Sequence, residues 1–411
     1  MTVVATEKME KFLSNLVVST TPSQKEAAEN FREMDFPTTR NEYWKYTRLG
    51  KITNKQFTNR FDQKKDLDIA DAIVSSQYLV VENGSIREDL SHYKTDFKIE
   101  FKTDTADSEK YTLDNTHVFT ALNKAFYTQV ISVSIAPKAI IEEPLQLIFV
   151  EQGSGVIANC RVEIEAGKSS QSSLIYTQIS DNSVGCFNNS ITTIEVDENA
   201  HFTLHKLQAG NDTSLSISTE QVVQKANSTF KINTFSFSGL LIRNNVNILV
   251  QGENCETYMN GAVITKDKEH IDNHTFVDHQ VPNCYSNENY KYVLDGQSTG
   301  VFNGRVIVQK DAQVINAYQN NGNILLSEQA SINSKPELEI YADDVKCSHG
   351  STTGQLDEDA LFYLQARGIS KPKARKLLVS AFVGEIIESI DNERLNTLLH
   401  VILKKEHNWD F

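Results

Sequence analysis

Cysteine is scarce and irregularly placed in this 411-residue chain. The five cysteines are Cys160, Cys186, Cys255, Cys284 and Cys347, and no two of them form a C-x-x-C pair. An odd number without paired spacing argues against a disulfide framework and against a closed zinc site. The cysteine pattern therefore predicts a protein of a reducing compartment.

The sequence also lacks the features of an exported or membrane-spanning protein. Charged residues interrupt the segment 1–18 from Glu7 onward, and no apolar stretch follows a basic one there. No apolar run elsewhere approaches the length of a membrane span. We therefore expect a cytoplasmic protein that is not attached to a membrane.

Positive charge and nucleotide-binding motifs are lacking as well. There are 40 Lys and Arg against 54 Asp and Glu, a net charge of -14, and such a surface repels nucleic acid. Gly167-Lys168-Ser169 has the ending of a P-loop, but Val162 stands where the first glycine is needed, and a predicted strand follows. We expect no ATP site in this chain, and we find no flavin-binding motif.

Short alternating strands dominate residues 119–345. Val, Ile, Thr, Ser and Asn prevail there, and apolar residues alternate with polar ones, as is typical of half-buried strands. The clearest examples lie at residues 161–165, 193–196, 245–250 and 305–308. An amphipathic helix is expected in this region only at 121–127.

A weak repeat runs through the same region. An aliphatic residue precedes an alanine by four positions, and an apolar residue follows it by two, as in Val196, Ala200 and Phe202. Most copies start roughly 30 residues apart, which predicts a solenoid of strand–turn units. We expect a mainly β fold with a right-handed parallel β-helix core and helical regions at both ends; a β-sandwich is the competing arrangement.

Three regions are predicted: an N-terminal α/β arm at 1–110, the β-helix core at 111–350, and a C-terminal helical domain at 351–411. The arm has a helix near residues 20–31 and an aromatic segment at 42–47, interpreted as an anchor that packs on the core. Because open edge strands of a solenoid invite aggregation, we expect the flanking regions to cap its ends.

Three helices are predicted in the C-terminal region. The first covers 357–367 and ends at Gly368, the second is capped by Ser370, and the third begins near Asn392. The third carries an apolar stripe of Leu395, Leu398, Leu399, Ile402 and Leu403. The helices either pack on one another or leave part of a stripe as a docking face.

Cys347 and His349 are the strongest candidates for chemistry. If the last strand extends this far, they lie two positions apart and face the same way. A thiolate and an imidazole can bind a soft or borderline metal, but zinc and four-iron clusters usually take about four ligands. The pair is at most half a site, and the alternative is a buried thiol beside a hydrogen-bonded histidine.

A second group of metal-capable residues has no diagnostic spacing, and polar ladders or a hydrogen-bonded turn explain it more simply. Its members are His270, His274, Asp278, His279 and Cys284. The five-residue step from His274 to His279 would place these two on opposite faces of a strand.

Three segments together resemble the SufB/SufD family of iron–sulfur cluster assembly proteins. The most specific is residues 335–357, with Cys347-Ser348-His349-Gly350 at its centre. The others are residues 290–326, which include Gly300-Val301-Phe302-Asn303-Gly304, and residues 119–126. With Trp44-Lys45-Tyr46-Thr47 in the arm, the resemblance covers most of the chain.

Within that family, the Cys-Ser-His-Gly form and the arm look like SufD, whereas SufB typically continues Cys-Glu-His. The resemblance implies a non-catalytic scaffold whose β-helix pairs with SufB and whose C-terminal helices dock the SufC ATPase. It implies that His349, with Cys347 beside it, helps hold iron or a transient iron–sulfur cluster shared with the partner. A homodimer of the isolated chain and flavin binding are left open.

Two alternatives are retained. One is a SufB-like scaffold in which Cys347 or Cys255 accepts sulfur. The other is a polysaccharide-acting β-helix protein or adhesin. Adjacent carboxylates on a strand, such as Asp343 and Asp344, would point to opposite faces and make a poor acid–base couple, and the expected export signal is lacking.

Overall fold

The computed structural model describes residues 7–18, 21–63, 66–102 and 117–408. Sixteen of its strands build the solenoid from residue 130 onward. They are β4 (Val130–Ile135), β5 (Leu145–Ser154), β6 (Ile157–Ala166), β7 (Gln171–Val184), β8 (Phe187–Val196), β9 (His201–Ala209), β10 (Leu215–Gln224), β11 (Thr229–Ser238), β12 (Leu241–Val250), β13 (Glu256–Thr265), β14 (His270–His279), β15 (Tyr285–Leu294), β16 (Thr299–Val308), β17 (Ile315–Leu325), β18 (Ser331–Ile340) and β19 (Val345–Gly354).

Odd- and even-numbered strands form two separate sheets. From β6 to β17 each strand pairs in parallel with the strand two places before it and the strand two places after it, so the chain alternates between sheets. The result is a β-solenoid of about eight coils, and the predicted parallel β-helix is confirmed. The four sequence segments predicted as strands lie within β6, β8, β12 and β16.

The corners of the coils explain the sequence repeat. Asn199, Asn227 and Asn254 have positive φ, the left-handed conformation that asparagine tolerates better than most residues. The residue that follows each of them is small and faces inward, as Ala200 does with no exposed surface. A regularly spaced small residue therefore marks the point where each coil turns.

The interior of the first coils is an aliphatic column. Five fully buried side chains lie in register on successive odd-numbered strands: Leu145, Leu174, Leu204, Ile232 and Met259. Burying a side chain of this size stabilises a fold by about 1.5–3 kcal/mol. Stacking the same position coil after coil therefore produces one continuous core.

The N-terminal helices cover the outer face of the even-numbered sheet. They are α1 (Glu7–Leu13), α2 (Pro22–Arg32), α3 (Gly50–Thr53) and α4 (His117–Phe126). Between them, the buried ring of Trp44 lies 5.4 Å from the ring of Phe119 and 3.9 Å from the guanidinium of Arg243 on β12. This packing confirms the interpretation of the aromatic segment as an anchor.

Two of the three C-terminal helices cover the outer face of the odd-numbered sheet. The three are α5 (Glu358–Ala366), α6 (Lys371–Glu388) and α7 (Glu393–His407). The sheet is covered by α6 and α7, while α5 packs on α6. The predicted stripe of α7 is fully confirmed as buried, and it lies in one apolar cluster with Phe235, Phe237 and Val293 of the sheet. Asp357 and Asn392 cap α5 and α7 through their side chains, whereas Ser370 precedes α6 without such a hydrogen bond.

The two ends of the solenoid differ. Near the first coil, β1 (Gln77–Glu82) pairs in parallel with β5, and β2 (Ser85–Ile86) and β3 (Lys98–Lys102) add antiparallel edges. At the last coil, β18 and β19 end their sheets, and no described strand pairs with their outer edges. The expectation that a flanking region caps this end is wrong. Helices α6 and α7 pack on the apolar outer face of the odd-numbered sheet instead.

Three sequence predictions touch residues outside the described ranges. These are the domain boundary at 110/111, the start of the arm helix at residue 20, and the first six residues of the predicted arm. Within the described ranges, β1 to β3 of the arm belong to the same sheets as the core, and β19 continues to Gly354.

Candidate functional site at the open end of the solenoid

Strand β19 carries both candidate site residues. Its register pairs Ala317 with Cys347 and Gln319 with His349, so the two candidates stand on the same side of one strand. Cys347 is half-buried and packs against the solenoid core, whereas His349 is exposed. The condition for a shared face is met, and metal binding by the pair stays a prediction.

No described residue activates the thiol of Cys347. Burial raises the pKa of Cys347, and a hydrogen bond from the backbone amide of Ala317 opposes that effect only in part. The thiolate is the form that binds metals. A bound cation or a charged group from another chain would therefore be needed to stabilise it.

A polar column continues behind His349 into the solenoid. The register partner of Met259 on the next odd-numbered strand is Glu288 on β15. The column then continues with Gln319 on β17 and His349 on β19. The amide Nε2 of Gln319 donates to Oε2 of Glu288 at 3.1 Å, and both side chains are buried. Burial raises the pKa of Glu288 to about 7.

Sequence reasoning missed Glu288 and Gln319. The signal that could have found them is the coil length, because counting back from position 349 by about one repeat reaches 319 and then 288. Gln319 lies in the resembling segment 290–326 and Glu288 just before it, but neither was singled out, and only alignment of the coils would have revealed the column.

A glycine makes room for this column. A Cβ on Gly304 of β16 would lie 2.7 Å from Oε2 of Glu288 and 2.9 Å from Nε2 of Gln319. The strand opposite therefore approaches the two side chains as closely as its backbone allows. The missing side chain is a structural requirement of the polar interior at this end.

Hydroxyl groups line the mouth of the open end. Ser334 on β18 and Ser351 on β19 place their Oγ atoms 2.8 Å apart, and both reach Oδ1 of Asn321. Hydrogen bonds thus join the last strands of the two sheets. The end of the solenoid is polar inside, although a core of the same fold is apolar a few coils earlier.

The second predicted group is divided by the structure. His279 faces inward and bonds Oγ of Ser286 at 2.9 Å, while Asp278 accepts from two glutamine side chains. Cys284 lies at a coil corner and His270 and His274 lie under the arm. Across the described ranges, no three His, Cys, Asp or Glu side chains are arranged to hold a metal.

The arm is fixed to the sheet by a buried ionic cluster. Asp272 accepts from Nη1 of Arg243 at 2.6 Å and from Oγ1 of Thr47 at 2.5 Å, and His274 lies 3.0 Å from its other oxygen. Burial lowers the pKa of His270 to about 4, so its ring is neutral and bonds Thr47 as well. The histidines here serve packing of the arm.

The same arm extends to the open end. Tyr43 receives a hydrogen bond from Arg305 on β16, and Glu42 is paired with Lys335 on the edge strand β18. Direct contacts thus place the arm segment beside the last coil, and the arm helps to fix the position of β18.

Two cysteines stack at neighbouring corners. Cys255 and Cys284 precede β13 and β15 at equivalent positions, and both are almost fully buried. A hydrogen bond from Cys284 lowers the pKa of Cys255 to about 6 and raises that of Cys284. The two thiols titrate as a pair, and the thiol of Cys255 donates to the backbone carbonyl of Lys225 at 3.0 Å.

Several other sequence patterns lie in turns. Asp343 and Asp344 form a bend before β19, with both amides bonded to Oε1 of Gln313, so the prediction that they lie on a strand is wrong. Gly167-Lys168-Ser169 is the corner between β6 and β7. Residues 296–300 have the G-x-S-x-G spacing but lead into strand β16, and a nucleophile elbow would lead into a helix.

Comparisons with known proteins agree on one family. The family model described as "SUF system FeS cluster assembly, SufBD core domain" matches residues 149–382, more than half of the chain. An iron–sulfur cluster assembly SufBD family protein of Synechocystis is 30% identical over 391 residues, covering 89% of this chain and 86% of that protein. The iron–sulfur cluster assembly protein SufD of Escherichia coli is 27% identical over 380 residues, covering 91% and 90%.

One further finding concerns membranes: within the described ranges, every helix is too short or too polar to cross a bilayer.

The solenoid, the matched core region and the similarity over nearly the whole length of both chains lead to one conclusion about the family. This chain belongs to the SufBD family of iron–sulfur cluster assembly proteins.

Proposed function

We propose that this chain is a SufD-like scaffold subunit, non-catalytic by itself, of a cytoplasmic complex with a SufB-like and a SufC-like partner. The observation that carries the proposal is the half-site on the last strand: Cys347 and His349 share one side of β19, whose outer edge has no strand beside it in the described structure. Iron or a nascent cluster is the cargo of this site.

The number of donors supports an interface. A thiol and an imidazole supply two ligands, whereas tetrahedral iron or zinc centres take about four. The described residues around the pair supply hydroxyls and amides but no further thiolate or imidazole close by. The missing ligands would come from a partner that approaches the same edge.

The edges themselves support pairing with another chain. Unpaired backbone groups of edge strands are a ready template for a further strand. Next to them, Ile340 and Tyr341 are 41% and 61% exposed. A SufB-like solenoid would cover these groups, and a homodimer through the same edge is the competing assembly of the isolated chain.

The helical region supports docking of an ATPase subunit. On α5, Phe362 and Tyr363 are 72% and 58% exposed, and Leu377 on α6 is 41% exposed. Large aromatic side chains this exposed commonly mark a contact surface. The stripe of α7 is already used by the sheet, so we assign docking to α5 and the first half of α6.

Co-expression with the SufB-like and SufC-like proteins of the same genome tests this assignment. We expect the three chains to elute together in size-exclusion chromatography. Phe362→Asp should lose the ATPase subunit while keeping the SufB-like one, and Val401→Asp, at a 50% exposed position on α7, should keep both. Separate elution of all three wild-type chains would contradict the proposal.

A second candidate role is acceptance of sulfur at Cys255. The lowered pKa favours it, because a thiolate is the nucleophile that takes sulfur from a donor persulfide. Mass spectrometry after incubation with a cysteine desulfurase and its substrate would test it. Persulfide on wild type that disappears in Cys255→Ser, but not in Cys347→Ser, would establish the SufB-like role.

A further inference from the structure

Only one end of the Gln319 amide makes a hydrogen bond with the described residues. Its Nε2 donates to the carboxyl of Glu288, while its Oε1 is buried and accepts no hydrogen bond from any described residue. A buried acceptor without a partner is costly, so such groups in native proteins usually have a role. The free oxygen belongs to the residue that lies in register with His349.

Glu288 decides which end of the amide is free. At pH 8, above the pKa of about 7, the Glu288 carboxylate is ionised and only accepts hydrogen bonds, so the NH2 end of the amide faces it. Gly304 adds to the constraint, since the backbone there leaves just enough space for the two groups. Glu288 therefore fixes the orientation of the Gln319 amide, and Gly304 leaves the space that the pair occupies.

The strand register places His349 next to Gln319, on the side away from Glu288. Gln319 stands between Glu288 and His349, and neighbouring strands are about 4.8 Å apart, within reach of side chains in the same column. The imidazole is exposed and makes no hydrogen bond with the described residues, so its ring can rotate toward Gln319.

We infer that Gln319 is a positioning residue for His349: its Oε1 accepts a hydrogen bond from one ring N–H and thereby selects the tautomer that presents the other nitrogen outward. Histidine ligands of metals usually donate their second ring N–H to such an acceptor, which fixes the ring and raises its basicity. The part of this inference that concerns iron rests on the proposed function; the selection of the tautomer does not.

The tautomer can be measured on the full metal-free chain. Labelling histidine with 15N and recording long-range 1H–15N correlations at about pH 8, where exposed imidazoles are neutral, reports the tautomer of each ring. A His349→Gln variant assigns the signal. We expect one dominant tautomer in the wild type and a mixture in Gln319→Leu.

Three further variants separate the role from general disturbance. Gln319→Glu keeps an oxygen acceptor and should retain the dominant tautomer. Glu288→Gln leaves the fold nearly isosteric but lets the Gln319 amide face either way, so a mixture is expected even if Gln319→Leu does not fold. Gln208→Leu makes the control change at a buried inward glutamine of β9 and should leave the His349 signal unchanged.

Metal affinity of the assembled complex gives the functional readout. Cobalt(II) titrations followed by absorption should show about 10- to 100-fold weaker binding for Gln319→Leu and no change for Gln208→Leu. An unchanged His349 tautomer in folded Gln319→Leu would overturn the inference. A changed tautomer together with metal binding that survives His349→Ala would leave the positioning intact and reject the proposed role of the site.

Discussion

The first and last coils of this solenoid use the same inward position in opposite ways. On β5, β7 and β9 it holds Leu145, Leu174 and Leu204, while on β15, β17 and β19 the same column holds Glu288, Gln319 and His349. Parallel register joins all of these positions into one column. At this one position, the early coils bury apolar side chains and the last coils hold polar ones.

The sheet edges follow the same division. The first coil is bordered by β1, which is parallel to β5, and by β3, which is antiparallel to β4; both come from the N-terminal arm. The last coil ends in two parallel strands whose side chains are mostly half-buried or exposed. Polar interior and open edge coincide at one end, as expected if a partner completes that end.

The largest effect is expected in the aliphatic half. Leu204→Ala should lower the free energy of unfolding by about 2–5 kcal/mol, because it leaves a cavity in a fully buried column. His349→Ala, at an exposed position, should change it by no more than about 0.5 kcal/mol. Urea unfolding of both variants measures the contrast, and equal losses would remove the distinction between the two ends.

The next effect concerns the buried carboxyl of the polar half. The pKa of Glu288 is raised from 4.5 to about 7 by burial, so its protonated form is the one that the fold favours. Its contribution to stability is complete below pH 4.5 and is lost as the pH rises to 7. Relative to Glu288→Gln, the wild type should lose roughly 3 kcal/mol over this interval.

Urea unfolding of wild type and Glu288→Gln at matched pH values from 4 to 8 isolates this group from the other buried acids. A stability difference that stays constant across the interval would show that Glu288 ionises normally. In that case water would reach the Glu288 carboxyl despite its burial in the structure.

A smaller effect is expected from the glycine that makes room for the column. Gly304→Ala should destabilise the protein by about 1–3 kcal/mol, since the added Cβ meets Glu288 and Gln319 at 2.7 and 2.9 Å. Gly350→Ala is the matched control, because a Cβ there meets nothing within 4 Å. Thermal unfolding compares the two, and an equal response would mean that the polar interior is loosely packed.

Much of the fold could be predicted from local sequence. Alternating strands, the small residue at each corner and the caps at Asp357 and Asn392 are local signals, and the structure contains all of them. The placement of Cys347 and His349 on one side of a strand required only that β19 extend past position 349.

The remainder depends on which coil lies next to which. Glu288 and Gln319 are 61 and 30 residues from His349 in sequence, and only the register brings them into one column. The sequence did not show that helices cover the outer faces of both sheets. Strands such as β10 are buried on both faces, so the alternation of apolar and polar residues does not indicate what covers the outer face.

Anaerobic cluster reconstitution on the complex with the SufB-like and SufC-like partners is the most direct test of the central claim, that the polar open end holds a shared half-site. The measurement compares wild type with His349→Ala and with His201→Ala, an exposed histidine at the start of β9. We predict that His349→Ala loses bound iron and cluster while the complex stays assembled, and that His201→Ala matches wild type. An unchanged cluster yield in His349→Ala would contradict the account.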